Sequence, residues 1–223
     1  MRPVPFAALA AIALATPVSA QAPGGAPPAI ARTINGTVER VTYRGRPALH
    51  MVPAPAMRGT DEGVFAILDG PQFKDGVIEA TLAGAPRPDA PADSRGFIGI
   101  AFRTGPDSAW SEIFYLRPTN ARVDDQVRRN RSLQYVSHPD WPWHRLRAES
   151  PGKYESSADL ETGGWTRIRI EVRGREARLF VNGATQPALV VTDLKHGDGP
   201  GRIALWGHVQ TDAYFGELRV ERR

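Results

Sequence analysis

Short runs of alternating apolar and polar residues recur along the chain. The cleanest is TRIRIEVR, residues 166–173, where Ile168, Ile170 and Val172 alternate with Arg167, Arg169, Glu171 and Arg173. A period of two puts one set on each face of a β-strand. Residues 96–103 put Ile98, Ile100 and Phe102 on one face, and residues 112–117 set Phe114 and Leu116 against Tyr115 and Arg117. The same reading predicts strands at 37–43, 48–52, 76–82, 133–137, 177–181, 188–191, 202–206 and 214–220. Turn residues separate them: Arg44-Gly45-Arg46-Pro47, Gly174 and Asn182-Gly183. No mature segment sustains a period of 3.6. About ten or more short strands with turns between them predict an all-β, antiparallel two-sheet sandwich. The polar gaps at 87–94 and 120–130 are predicted loops, where function tends to sit on such a scaffold.

Composition changes this picture at one end. The chain opens MRPVPFAALAAIALATPVSAQA, with a positive start at Arg2, an apolar run from Phe6 to Ala15 and a small-x-small pattern at Val18-Ser19-Ala20. That predicts a signal peptide over 1–20, cut after Ala20 or alternatively after Ala22, and a periplasmic or secreted location. A flexible proline- and glycine-rich lead is expected over 21–32 and one domain over 33–223. The absence of cysteine excludes disulfides, a thiol nucleophile and a lipid-attachment cysteine, so a free protein held by core packing is expected. No later apolar run is long enough for a membrane helix. The net charge of +4, one unit of which leaves with Arg2, is spread among acids, which argues against a nucleic-acid surface.

The order of the pieces carries a resemblance. FKDGVIEATL (73–82), RGFIGIAFR (95–103), FYLRPTN (114–120), GGWTRIRIEVRGREARLFVNG (163–183), GRIALWG (201–207) and AYFGELRV (213–220) together resemble the concanavalin A-like lectin/glucanase superfamily. The likeness is greatest to its LamG-type and keto-glycoside-hydrolase-like bacterial jelly rolls. The resemblance implies a jelly-roll sandwich whose concave outer sheet face and loops hold a carbohydrate. It also implies that members can be lectins, hydrolases or adhesion modules, so the fold alone does not settle activity. The laminarinase-type Glu-x-Asp-x-x-Glu strand is absent.

Three groups of residues are candidates for chemistry. The first is QYVSHPDWPWHRLR, residues 134–147. In an extended segment Trp141 and Trp143 point the same way, either to stack on sugar rings or to cap the core. Asp140, His138 and His144 are placed to bond hydroxyls, and Gln134 belongs to the same group. The second is the loop around 116–132, where Asp124 and Asp125 with Asn120 offer an acid/base pair or calcium ligands. There Arg117, Arg128 and Arg129 could grip a carboxylate or sulfate, the bland alternative being a solvated charged loop. The third follows from strand parity: with Ile98, Phe114 and Leu205 inward, Arg103, Tyr115, Arg117, Trp206 and His208 share the opposite face.

The leading expectation is an exported carbohydrate-binding jelly roll. A hydrolase or lyase would use a carboxylate such as Asp125, Asp140 or Glu112 with His138 or His144, and a protein-interaction module is the third reading. No cofactor is expected beyond possible calcium; the histidines lack zinc spacing, and no Gly-x-Ser-x-Gly elbow occurs. Trp165, at the start of the cleanest strand, is expected in the core.

Overall fold

The computed structural model describes residues 27–57 and 59–223. The expected signal peptide and the first part of the lead lie outside the described residues. The strands in chain order are β1 (Ile30–Ile34), β2 (Gly36–Tyr43), β3 (Arg46–Pro53), β4 (Gly63–Leu68), β5 (Gly76–Pro86), β6 (Ile98–Thr104) and β7 (Ser111–Leu116). They continue as β8 (Leu133–His138), β9 (Glu155–Ser156), β10 (Thr166–Arg173), β11 (Glu176–Val181), β12 (Leu189–Val191), β13 (Arg202–His208) and β14 (Thr211–Arg222). Two short helices, α1 (Gln126–Arg129) and α2 (Trp143–Glu149), flank β8. No helix among the described residues is long and apolar enough to cross a membrane.

The strands form two seven-stranded antiparallel sheets. The first runs β1-β4-β13-β6-β7-β8-β9 and the second β12-β11-β10-β5-β14-β3-β2. Their inner faces meet in one core. Ile98, Ile100, Phe102, Phe114, Leu116 and Leu205 of the first sheet pack with Ile78, Leu82, Ile168 and Ile170 of the second. Burying each such side chain contributes roughly 1.5–3 kcal/mol. With no cysteine in the chain, this cluster is what holds the sandwich together. The observed fold is the expected all-β two-sheet jelly roll.

Where the sequence pattern fell short, burial explains it. β4 (GVFAIL) is buried at nearly every position and therefore shows no alternation. β1 pairs with β4, so part of the expected lead, Ile30–Arg32, belongs to a sheet strand. α2 has seven residues, too few for a helical period to stand out. Trp165 is half-buried, not core: Thr166 after it points inward, and the indole lies on the outer face of the second sheet, edge-on to Tyr43 at 5.6 Å.

Strand parity fails at one point. The β13–β6 register shifts between Arg202 and Ala204, and Arg103 has φ +49°. This bulge turns Arg103 away from the outer face. Its guanidinium, 1% exposed, donates to the carbonyls of Lys74 (2.9 Å), Gly197 (2.7 Å) and Gly174 (2.7 Å) and to Asp75 Oδ1 (3.1 Å). Arg103 is therefore a tie between loops of the two sheets, not a ligand contact.

β6 and β7 are buried on both faces along their whole length. The second sheet covers one face. What covers the other defines the candidate site.

Candidate functional site

Antiparallel register lines up one row of side chains across the outer face of the first sheet: Phe65, Trp206, Gly99, Tyr115, Gln134 and Glu155, one per strand from β4 to β9. Glycine is required in the middle. A Cβ at Gly99 would sit 2.1 Å from the Phe114 carbonyl and 2.7 Å from Tyr115. Tyr115 packs against Trp206, ring centres 5.1 Å apart, and against Phe97 at 5.4 Å. Phe97 meets His208 edge-on at 5.6 Å. These rings form an apolar floor.

Arg117, at the end of β7, lies on this floor and is 4% exposed. It donates to the Tyr115 hydroxyl (2.9 Å), Gln134 Oε1 (3.0 Å), the Arg131 carbonyl (3.1 Å) and Glu155 Oε1 (3.1 Å). Burial raises the pKa of Tyr115, so its hydroxyl stays protonated. Arg147 grips both oxygens of Glu155, and Arg131 Nε approaches Glu155 Oε2 at 3.7 Å. Burial alone would raise the Glu155 pKa. The hydrogen bonds from Arg147 and Arg117 outweigh it and hold the carboxyl below its ordinary value.

Helix α2 builds one wall. Pro142 stands at its N-cap with extended backbone, and Leu146 anchors it to the core. One helical turn separates Trp143 from Arg147, so both face the same side, with the Arg147 guanidinium 4.5 Å from the Trp143 ring centre. Trp143 is 39% exposed. The opposite wall is the 87–94 loop and its exit, with Asp93, Ser94, Arg95 and Phe97. Between them runs a groove of about 430 Å³. Arg128, Asn120, Arg131, Asp61, His208 and Gln210 complete its lining. The Gln210 N–H donates to His208 Nδ1 (3.2 Å), which leaves Nε2–H to donate to Asp61 (3.0 Å). Asn120 donates to the Arg131 carbonyl.

Of the expected binding residues, Arg117, Asn120, Trp143 and His208 line this groove. Tyr115, Gln134 and Trp206 lie in its floor, buried and out of ligand reach. Trp141 and Trp143 do not share a direction. Trp141 bridges back to Ser137 and is half-buried against the core, with Arg145 3.7 Å and Lys195 4.8 Å from its ring centre. The turn into α2 between them breaks the extended geometry that parity assumed.

The expected catalytic residues do not converge. Glu112 is fully buried between the sheets and accepts from the Tyr135 hydroxyl (2.6 Å) and the His196 N–H (2.8 Å). Asp125 is the N-cap of α1 and accepts from the Arg128 N–H. Asp140 and His144 are exposed and outside the groove, and His138 is half-buried at the far end of β8, its pKa lowered by burial. Asp124 faces Arg129 at 3.9 Å, and Arg129 is itself turned to Val123 and Gln126. Among the described residues no group of three or more acids and histidines is set to hold a metal.

Sequence reasoning missed Phe97, Arg95, Arg131, Arg147 and Glu155. Outward parity from Gly99 back to Phe97 and Arg95 was a usable signal. Glu155 sits on a two-residue strand and Arg147 on a seven-residue helix, neither of which has a period to read.

No family model matches the sequence, and no curated protein matches it. Solved structures do match in fold. The carbohydrate binding module CBM66 from Bacillus subtilis aligns over 89% of this chain and 99% of its own, with TM-score 0.60 and 12% identity. A Bacillus subtilis protein of unknown function with a galectin-like fold aligns over 86% and 90%, with TM-score 0.52 and 13% identity. The exoplasmic/lumenal domain of VIP36, in its Ca2+/Man3GlcNAc-bound form, aligns over 86% and 83%, with TM-score 0.50 and 9% identity. At such identities the likeness concerns architecture alone, and that architecture is a galectin-like jelly roll.

Proposed function

We propose that the protein binds a carbohydrate in the groove on the outer face of the first sheet. The observation that carries this reading is Trp143, an exposed indole at the edge of a groove lined, apart from Phe97, by polar side chains. The C–H face of a sugar ring packs on such an indole, and surrounding guanidinium and amide groups donate to its hydroxyls. Two of the structurally similar proteins support the reading by their names, a carbohydrate binding module and the exoplasmic/lumenal domain of VIP36 in its Ca2+/Man3GlcNAc-bound form. Export through the expected signal peptide would place the groove where polysaccharides are met.

Hydrolysis is the less favoured reading. Glu155, at the groove's floor, is held ionised by arginines, whereas a general acid needs a raised pKa. Calorimetric titration of the mature protein against a panel of oligosaccharides tests the proposal. Binding of at least one is expected, with Trp143→Ala weakening it about tenfold. A panel without any binder, or a binder indifferent to Trp143→Ala, overturns it. Product analysis of the bound oligosaccharide checks for turnover.

A further inference from the structure

We infer that the groove selects saccharides carrying an anionic group, a carboxylate or a sulfate ester. This deepens the carbohydrate-binding reading and rests on it. Five arginines line the groove (Arg95, Arg117, Arg128, Arg131 and Arg147) against two lining carboxylates, Asp61 and Asp93. Asp61 points to solvent and is engaged by His208. The one buried anion beneath the groove, Glu155, is already shared by Arg117, Arg147 and Arg131.

That leaves Arg95 and Arg128. Among the described residues, neither has a carboxylate within ion-pair distance. Arg128 Nε is buried with no hydrogen-bond acceptor, and its Nη2 reaches only Asn120 Oδ1 at 3.5 Å. The two cations also oppose each other. Burial, then the charge of Arg128, lowers the pKa of Arg95, with Asp93 compensating in part. An unpaired, partly desolvated guanidinium is costly, and a planar two-oxygen anion satisfies its fork of donors. Sugar hydroxyls supply acceptors but no charge. A saccharide with its ring on Trp143 and its acidic group toward Arg95 and Arg128 would satisfy both requirements.

Matched probes separate this inference from carbohydrate binding itself. The probes are an oligogalacturonate and its neutral methyl ester, and a carrageenan oligosaccharide and its desulfated form, titrated into the mature protein. At least one acidic probe is expected to bind about tenfold or more tightly than its neutral partner, with an advantage that shrinks as salt rises. Which acidic probe binds identifies carboxylate or sulfate as the recognised group. Arg95→Gln and Arg128→Gln should each remove most of that preference, while Arg178→Gln on the second sheet should leave it intact. Circular dichroism of each variant checks folding. Equal affinity within each of the two pairs, or a preference that survives both groove substitutions, overturns the inference and leaves carbohydrate binding standing. Failure of all four probes to bind overturns the inference; carbohydrate binding itself falls only if the wider oligosaccharide panel also holds no binder.

Discussion

Two buried glutamates sit on opposite faces of the same sheet and behave in opposite ways. Glu112 points inward from β7 and is surrounded by neutral donors, the Tyr135 hydroxyl and the His196 N–H. Burial dominates, and its pKa is raised. Glu155 points outward from β9 and is held by Arg117 and Arg147, so its pKa is lowered despite burial. Burial alone therefore does not assign a carboxylate its role; what surrounds it does. The inner face satisfies a polar group without adding charge. The outer face gathers cations around one anion and leaves two arginines over.

The comparison can be broken most severely at Glu155. Glu155→Gln strands Arg117 in a buried site without its counter-charge, and the expected loss is about 3–5 kcal/mol in urea unfolding. A loss below about 1 kcal/mol would mean that water, not Glu155, balances Arg117. The pH dependence has the same asymmetry. The lowered Glu155 contributes stability above the ordinary carboxylate range and loses it as pH falls through its folded value. The raised Glu112 contributes stability at acid pH and loses it as pH rises through its folded value. Acid unfolding should therefore be less steep for Glu155→Gln than for the parent. Glu112→Gln should gain stability relative to the parent as pH climbs to neutral.

A smaller effect is expected at Tyr115. Tyr115→Phe removes one acceptor from Arg117 and leaves the rings in place, which should cost about 1–2 kcal/mol by thermal or urea melting. The smallest is Glu112→Gln at neutral pH. The amide keeps an acceptor for Tyr135 or His196 and sheds the buried charge, so stability should stay within about 1 kcal/mol of the parent. A large loss there would show that Tyr135 and His196 need both Glu112 oxygens as acceptors.

The sequence made the sandwich legible because most strands of the second sheet are buried on one face only. TRIRIEVR writes its orientation in its own alternation, and β10 follows it residue by residue. The first sheet is covered on both sides, so its strands read as apolar runs and their outer phase is easily lost. Tyr115, Arg117, Trp206 and His208 were nevertheless assigned to the outer face by counting in twos. Arg103 escaped the count because one bulge resets it. Trp141 and Trp143 escaped because a turn and a helix start between them. The pairing of Arg117 with Glu155 joins residues far apart in sequence, and no local pattern announces it.

One consequence follows from where Glu155 sits. Its strand, β9, is two residues long and closes the edge of the sheet through the pairs Leu133–Ser156 and Gln134–Glu155. A short, charged edge is a poor template for pairing with another chain. It does not fray freely, because opening it would pull Glu155 from Arg117 and Arg147 and shift the neighbouring core residue Tyr154. The clamp on Arg117 and Arg147 thus fastens the rim of the first sheet to the sandwich. The short edge that discourages pairing with another chain is thereby also locked in place by its own charge.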